Sequence, residues 1–269
     1  MDFIDVEKAI QNKNPKLLKV MPGFLIAYLK RIIRQDDLNA LLKEHGHLKG
    51  LEFIRGALQY MNITYQAHGT ENIPRKGRFV FASNHPLGGL DGLVFILEVG
   101  KIFPDLKFPV NDLLMNVTNL DNVFLPVNKH GGQAKEAARQ IEEAYASDAQ
   151  ILYFPAGLCS RKQKGEIKDL EWKKSFISKA IQHERDIIPV HFEGRNSNFF
   201  YNLANFRVML GIKSNFEMVY LPNEMFKQTG KNIVMTFGKP VSYKTIRDSN
   251  RSHQEWANRL REQIHRMGS

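Results

Sequence analysis

The stretch Phe79-Val80-Phe81-Ala82-Ser83-Asn84-His85-Pro86-Leu87-Gly88-Gly89-Leu90-Asp91-Gly92 decides how this chain folds. Its first four residues form a short apolar run bounded by turn residues, the pattern of a buried strand. A second apolar run, Leu93-Val94-Phe95-Ile96-Leu97, follows two glycines and an aspartate and reads as a helix. What lies between them is a loop at a strand's carboxyl end, where open α/β sheets place their ligands. Pro86 sets one backbone torsion, and Gly88 and Gly89 reach geometries that other residues adopt only at a cost. His85 and Asp91 brought together in such a loop make a base and the carboxylate that orients it. A histidine near an aspartate is most often structural. Asn84, Pro86 and two glycines at the same strand end serve packing poorly and a reactive loop well.

The same alternation continues outward. Residues 63–67 alternate apolar and polar as a half-buried strand, and 72–77 form a turn before the strand over 78–82. Residues 123–127, 150–154, 187–192 and 233–237 are rich in β-branched and aromatic side chains, as strands are. Between them Ala134, Ala137, Ala138, Ile141, Ala144 and Tyr145 recur at helical spacing, as do Trp172, Phe176, Ile177, Ala180 and Ile181. Strands alternating with helices predict an α/β protein with a mostly parallel sheet and helices on both faces. Ahead of it, Asp36 or Asp37 caps a helix running to Lys43, and a further helix covers 48–61. Residues 1–62 therefore read as a helical, membrane-associating leader and 63–243 as the α/β core. Residues 244–269 form a C-terminal docking helix striped by Trp256, Leu260, Ile264 and Met267.

Composition narrows the partners. The chain of 269 residues carries 38 Lys+Arg against 28 Asp+Glu, a net +10, which favours an anionic partner. Its one cysteine, Cys159, excludes an intramolecular disulfide and fits a reducing compartment. The first residues hold no signal-peptide core, and the longest early apolar stretch, 24–29, is far too short to span a bilayer. Residues 16–35 contain Lys16, Lys19, Lys30, Arg31 and Arg34 and no acid. On a helical wheel Phe24, Leu25, Ile26, Tyr28, Leu29, Ile32 and Ile33 share one arc, opposite Lys30, Arg31 and Arg34. Periodicity allows two readings equally: an interfacial helix on anionic headgroups, or an amphipathic helix packed on its own domain.

Two more strand exits carry chemistry. Phe154-Pro155-Ala156-Gly157-Leu158-Cys159-Ser160-Arg161-Lys162 opens a stretch with eight bases against four acids between 161 and 185. Lys168 to Lys179 read as a solvated helix face, whereas Arg161 and Lys162, beside a Pro-Gly turn, suit a phosphate or carboxylate. Ile188-Pro189-Val190-His191-Phe192-Glu193-Gly194-Arg195-Asn196-Ser197 is the third exit. Its proline predicts a bulge or an edge strand, its Arg195 an anion contact or a sheet cap, and His191 alternates like a buried core histidine. A Gly-x-Ser-x-Gly elbow, a P-loop, a Rossmann fingerprint and a zinc-ligand spacing are all absent, so neither metal nor cofactor is expected. Cys159 has no histidine beside it in sequence to support a nucleophile's role.

In order, four blocks resemble the glycerolipid acyltransferase family over residues 63–243. They are Asn84-His85…Asp91, Val123-Phe124-Leu125-Pro126-Val127-Asn128, Phe154-Pro155-Ala156-Gly157…Arg161, and Ile188-Pro189-Val190. Gly194-Arg195-Asn196-Ser197 with Phe200-Tyr201, and Trp172 after Asp169, look like the hemolysin-like or lyso-ornithine-lipid acyltransferase branch. Five residues separate His85 from Asp91 where the family has four, and the glycine loop is expected to absorb the extra one. The second block has Asn128 and Lys129 in place of an arginine. The third has Ala156 and Leu158 where Glu and Thr are common, which puts a plain lysophosphatidic acid acceptor in doubt.

The resemblance implies that His85 deprotonates an acceptor hydroxyl, which attacks the thioester of an acyl carrier protein or of coenzyme A, while Asp91 orients the imidazole. Asn84, Gly88, Gly89, Asn128, Lys129, Pro155, Gly157, Arg161 and Arg195 are the expected substrate contacts, the basic ones holding an anionic headgroup. The acceptor is a lysolipid, a lyso-aminolipid before lysophosphatidic acid. The expected location is peripheral, on the cytoplasmic face of the inner membrane. A non-catalytic lipid- or membrane-binding protein that keeps the fold is the alternative reading. Nucleic acid is not an expected partner: charge alone suggests it, and most aromatics fall in core strands.

Overall fold

The computed structural model describes residues 4–111, 114–127 and 133–268. Five helices come first: α1 (Val6–Lys13), α2 (Pro15–Val20), α3 (Gly23–Ile33), α4 (Gln35–His45) and α5 (Gly50–Tyr60). Strands and helices then alternate through β1 (Thr64–His68), β2 (Phe79–Ser83), α6 (Gly89–Gly100), β3 (Leu106–Val110), β4 (Phe124–Pro126), α7 (Gln133–Ala146) and β5 (Gln150–Tyr153). A hairpin of β6 (Arg161–Gln163) and β7 (Glu166–Lys168) interrupts the pattern before α8 (Ser175–Gln182) and β8 (Asp186–Phe192). The chain closes with α9 (Asn198–Met209), α10 (Leu221–Phe226), β9 (Asn232–Phe237), α11 (Tyr243–Arg247) and α12 (His253–Arg266).

The main sheet runs β1-β9-β8-β2-β5-β3-β4, with every pairing parallel except β8 with β9. The expected mostly parallel sheet with helices on both faces is what the chain forms. β2 shows why its sequence is a continuous apolar run. Phe79 and Phe81 face one core with α5 and α6, Val80 and Ala82 the other with α7, α8 and α12, and all are buried. α5 and α6 press Ile54, Val94 and Phe95 onto the first face, and Trp172, Phe176, Leu260 and Ile264 cover the second. Within residues 1–62, Leu41, Phe53, Ile54 and Leu58 belong to the first core. The apolar arc of α3 is divided: Ile32 is buried, while Phe24 and Tyr28 face outward.

Three departures from the sequence reading have local causes. β3 was not expected, because Pro109 disguises its alternation; the missing N–H falls beyond Lys107, where the ladder to β5 has ended. Pro189 lies on a central strand, so the edge alternative does not hold. It stands at a bulge instead: Ile187 pairs with Val241 and Val190 with Phe237, leaving one extra residue opposite β8. The Gly238 N–H donates to the Pro189 carbonyl at 2.8 Å, and a Cβ on Gly238 would lie 2.9 Å from the proline ring. Helical periodicity does not reveal α9 because the helix is apolar on both faces, burying Phe200, Tyr201 and Ala204 while exposing Phe199, Phe206, Val208 and Met209. Among the described residues no helix is long and apolar enough to cross a membrane.

Candidate active site

The loop after β2 is fixed at every residue that matters. Asn84 is buried, its Nδ2 donating to the Phe192 carbonyl at 2.8 Å and its Oδ1 accepting the Phe192 N–H at 2.7 Å. Those two bonds bind the end of β2 to the end of β8, so Asn84, expected as a substrate contact, clamps the two strand ends. The next residue, His85, has both main-chain groups held by the segment after β5. Its N–H donates to Asp169 Oδ1 at 3.2 Å, and its carbonyl accepts the Ser160 N–H at 2.8 Å. Asp169 in turn accepts from Ser160 Oγ at 2.6 Å and Trp172 Nε1 at 2.8 Å. Asp169 and Trp172 mark the family branch in sequence, but nothing local says that the aspartate supports the histidine loop.

The His85 side chain meets Asp91 as the motif suggested. Nδ1 lies 3.0 and 3.1 Å from the two carboxylate oxygens. Asp91 is fully buried in the first turn of α6, where the helix dipole favours a negative charge, and it also accepts the Leu87 N–H at 2.8 Å. Gly88 is the N-cap of α6, and its φ of 74° suits glycine. Phe154 stacks on the imidazole at 3.9 Å between centroids, fixing the ring plane. With Nδ1 donating to Asp91, Nε2 is left as the acceptor, and the side chain keeps 16% of its surface exposed.

Burial alone would lower the pKa of His85. The charge of the Asp91 carboxylate, with a lesser contribution from Cys159, overrides it and holds the value well above the ordinary 6.5. Sequence distance had hidden this cysteine from the histidine. Cys159 is buried and lies close to Gly88 as well.

The remaining expected contacts divide. Gly88 and Gly89 border the histidine, with Leu221 and Met225 of the α10 region against them. Pro155 is buried and its carbonyl accepts the Lys173 N–H at 3.1 Å, while Gly157, at φ 67°, is exposed. Arg195 is exposed and bonded to Asn198, next to Gly194, which closes on Leu87 of the histidine loop. Asn128 and Lys129 lie outside the described residues.

Arg161, expected to hold an anionic headgroup, is engaged within the protein. It is buried, its Nη2 2.9 Å from Glu217 Oε1 and its Nη1 donating to the Cys159 carbonyl at 2.7 Å. Arg207 Nε pairs with the other oxygen of Glu217 at 2.8 Å, so one buried carboxylate joins two arginines. Arg185, counted in the basic stretch from sequence, is also buried and donates to the carbonyls of Tyr145 and Ala149 at the end of α7. Among the described residues, no group of three or more His, Cys, Asp or Glu is arranged to hold a metal ion.

A family model described as Acyltransferase matches residues 8–267. Two curated proteins, each named lyso-glycine lipid O-acyltransferase, are similar along nearly their whole lengths. The one from Bacteroides thetaiotaomicron is 44% identical over 266 residues, covering 98% of this chain and 97% of its own. That from Phocaeicola vulgatus is 43% identical over 266 residues, covering 98% of this chain and 95% of its own. Among solved structures, the crystal structure of the 1-acyl-sn-glycerophosphate (LPA) acyltransferase PlsC from Thermotoga maritima is similar with a TM-score of 0.55. It is 15% identical and covers 97% of this chain and 92% of that one, a likeness of fold.

Proposed function

Because this chain belongs to the glycerolipid acyltransferase family, we propose that it acylates the hydroxyl of a lyso-aminolipid, a lyso-glycine lipid first, at a membrane surface. It is an acyltransferase; acceptor, donor and location are the parts proposed. The observation that carries the reading is the imidazole of His85, anchored through Nδ1 to a buried carboxylate and left with Nε2 as a base at a strand end.

In the proposed step the acceptor O–H gives its proton to His85 Nε2 as its oxygen bonds to the thioester carbonyl carbon of acyl carrier protein or acyl-coenzyme A. Asp91 stabilises the imidazolium. Backbone N–H groups at Gly88 and Gly89, near the open end of α6, offer hydrogen bonds to the developing oxyanion. The C–S bond then breaks, and the leaving thiolate takes the proton back from Nε2, releasing the ester and a free thiol. No metal or organic cofactor enters.

The acceptor preference rests on the two named relatives and on Arg161. In a glycerophosphate acceptor site that arginine would face a phosphate; here Glu217 already matches its charge. A lyso-aminolipid asks less of it than lysophosphatidic acid, the second choice. The outward Phe24 and Tyr28 with the acid-free basic stretch of residues 16–35 support peripheral attachment to an anionic membrane, and the cytoplasmic face of the inner membrane is the proposed location.

The test is an assay with labelled acyl-carrier-protein and acyl-coenzyme A donors against a panel of lysolipids, comparing wild type with His85→Ala. Ester formation on a lyso-glycine lipid that vanishes in His85→Ala supports the reading. Equal turnover by the variant, or no acylation of any lysolipid, overturns it in favour of a non-catalytic lipid-binding protein.

A further inference from the structure

Exposed large apolar side chains are not scattered over this molecule. Among the described residues, all of them but Val127 fall in two segments, 17–28 and 199–219. The first holds Val20, 76% exposed, and Phe24, 78% exposed, and belongs to the N-terminal surface already discussed. The second is independent of it in sequence and exposes Phe206, Val208, Met209, Leu210, Ile212 and Phe216, with Asn202, Asn205, Lys213 and Ser214 as the polar side chains at its surface. An exposed apolar surface of this kind marks an interaction site. The two segments meet. Tyr28 Oη lies 2.6 Å from Tyr220 Oη, and the Tyr220 ring is 5.1 Å from that of Phe199.

Charge identifies the occupant. Residues 11–35 contain no Asp or Glu and six Lys or Arg, and Lys13, Lys16, Lys19 and Arg31 are exposed there. In 198–219 the one acid, Glu217, is fully buried between Arg161 and Arg207, and the charge left outside is Lys213. An apolar patch whose open rim is cationic suits the interface of an anionic bilayer, apolar side chains at the acyl boundary and lysines at the headgroups.

We infer that residues 206–219, at the end of α9 and the turn after it, form a second bilayer-inserting element, coplanar with α2 and α3. The inference rests on the membrane-surface part of the proposed function. It adds an element that also leads to the site: the chain passes from Val219 into α10, where Leu221 lies against Gly88. The arginine pair around Glu217 holds the inserting turn to the hairpin beside the histidine, so insertion and the catalytic loop are mechanically joined.

The experiment uses the full chain and vesicles of phosphatidylethanolamine with phosphatidylglycerol, against phosphatidylcholine alone, read by co-sedimentation. The triple variant Phe206→Ser/Met209→Ser/Leu210→Ser is expected to lose roughly tenfold or more in partitioning onto anionic vesicles. Its turnover of an acceptor dispersed in detergent micelles should stay within about twofold of wild type. Met209→Trp, which preserves apolarity, covers the case in which the triple variant fails to fold: its emission should shift to the blue on anionic vesicles. Wild-type partitioning in the triple variant, or no shift in Met209→Trp, overturns the inference. So does a wild-type dimer that dissociates in the triple variant with vesicle binding unchanged, which would make the patch a contact between copies. Vesicle binding that depends on the patch in a protein that acylates nothing sinks the catalytic reading and leaves this one standing. Turnover without any vesicle binding does the reverse.

Discussion

Asp169 Oδ1 accepts the backbone N–H of His85 at 3.2 Å across 84 residues of chain. The same carboxylate holds Ser160 and Trp172, so a buried aspartate that never touches the imidazole sets where the imidazole stands.

Replacing Asp169 with Asn should therefore cost turnover through geometry. A displacement on the order of 1 Å at a reacting group costs about 100-fold, and kcat is expected to fall roughly 10- to 100-fold with acceptor KM changed by less than about threefold. Steady-state kinetics decides the matter. A fall in thermal stability with kcat per folded molecule unchanged would make Asp169 a purely structural residue.

His85→Ala should lower kcat by about 10²–10⁴-fold, the usual worth of a general base. Because the base works as neutral imidazole, the rate should rise with pH and level off only above the ordinary histidine value of 6.5. Asp91→Asn removes the charge that raises the pKa, so its residual activity should show that limb moved to lower pH. A wild-type limb at or below 6.5 would contradict the arrangement of the pair.

Glu217 is the single carboxylate between two buried arginines, and losing it leaves two charges unmatched. Glu217→Gln should destabilise the fold by about 3–5 kcal/mol, a fall in Tm on the order of 10 °C. Arg161→Met should also lower Tm. If instead Arg161→Met left Tm intact and raised only the acceptor KM, the arginine would be the headgroup contact that the family resemblance implies.

Acid should weaken the protein through His191. Burial, with the nearby charge of His265, lowers its pKa to about 4, and among the described residues Nδ1 has no hydrogen-bond partner. The unfolded chain binds this proton near 6.5 and the folded chain only near 4, so stability falls as pH drops through that window and changes no further below it. The contribution is about 3 kcal/mol. Denaturant titrations of His191→Phe between pH 7 and 4 should show a flatter slope than wild type.

Most of the architecture was legible because its signals are local. The strand at 79–83 is a short apolar run, β9 and β8 are β-branched, and the stripe of Trp256, Leu260 and Ile264 is a helix face whatever it packs against. Among the elements that escaped, β3 and α9 have their local signal cancelled, by a proline and by apolar residues on both sides. β6 and β7 are too short to carry one, so Lys168, read as part of a helix face, lies in β7 and the helix starts only at Ser175.

The sequence by itself determined the alternation that builds the sheet, the family, and the pairing of His85 with Asp91, since only five residues separate the two. Only the tertiary structure decided what surrounds that pair. Asn84 finds its partner at Phe192, His85 at Asp169, and Arg161 at Glu217, separations of 108, 84 and 56 residues. A polar side chain advertises its hydrogen-bonding capacity in sequence, but whether water, a ligand or a distant backbone satisfies it depends on which segments the closed sheet brings together.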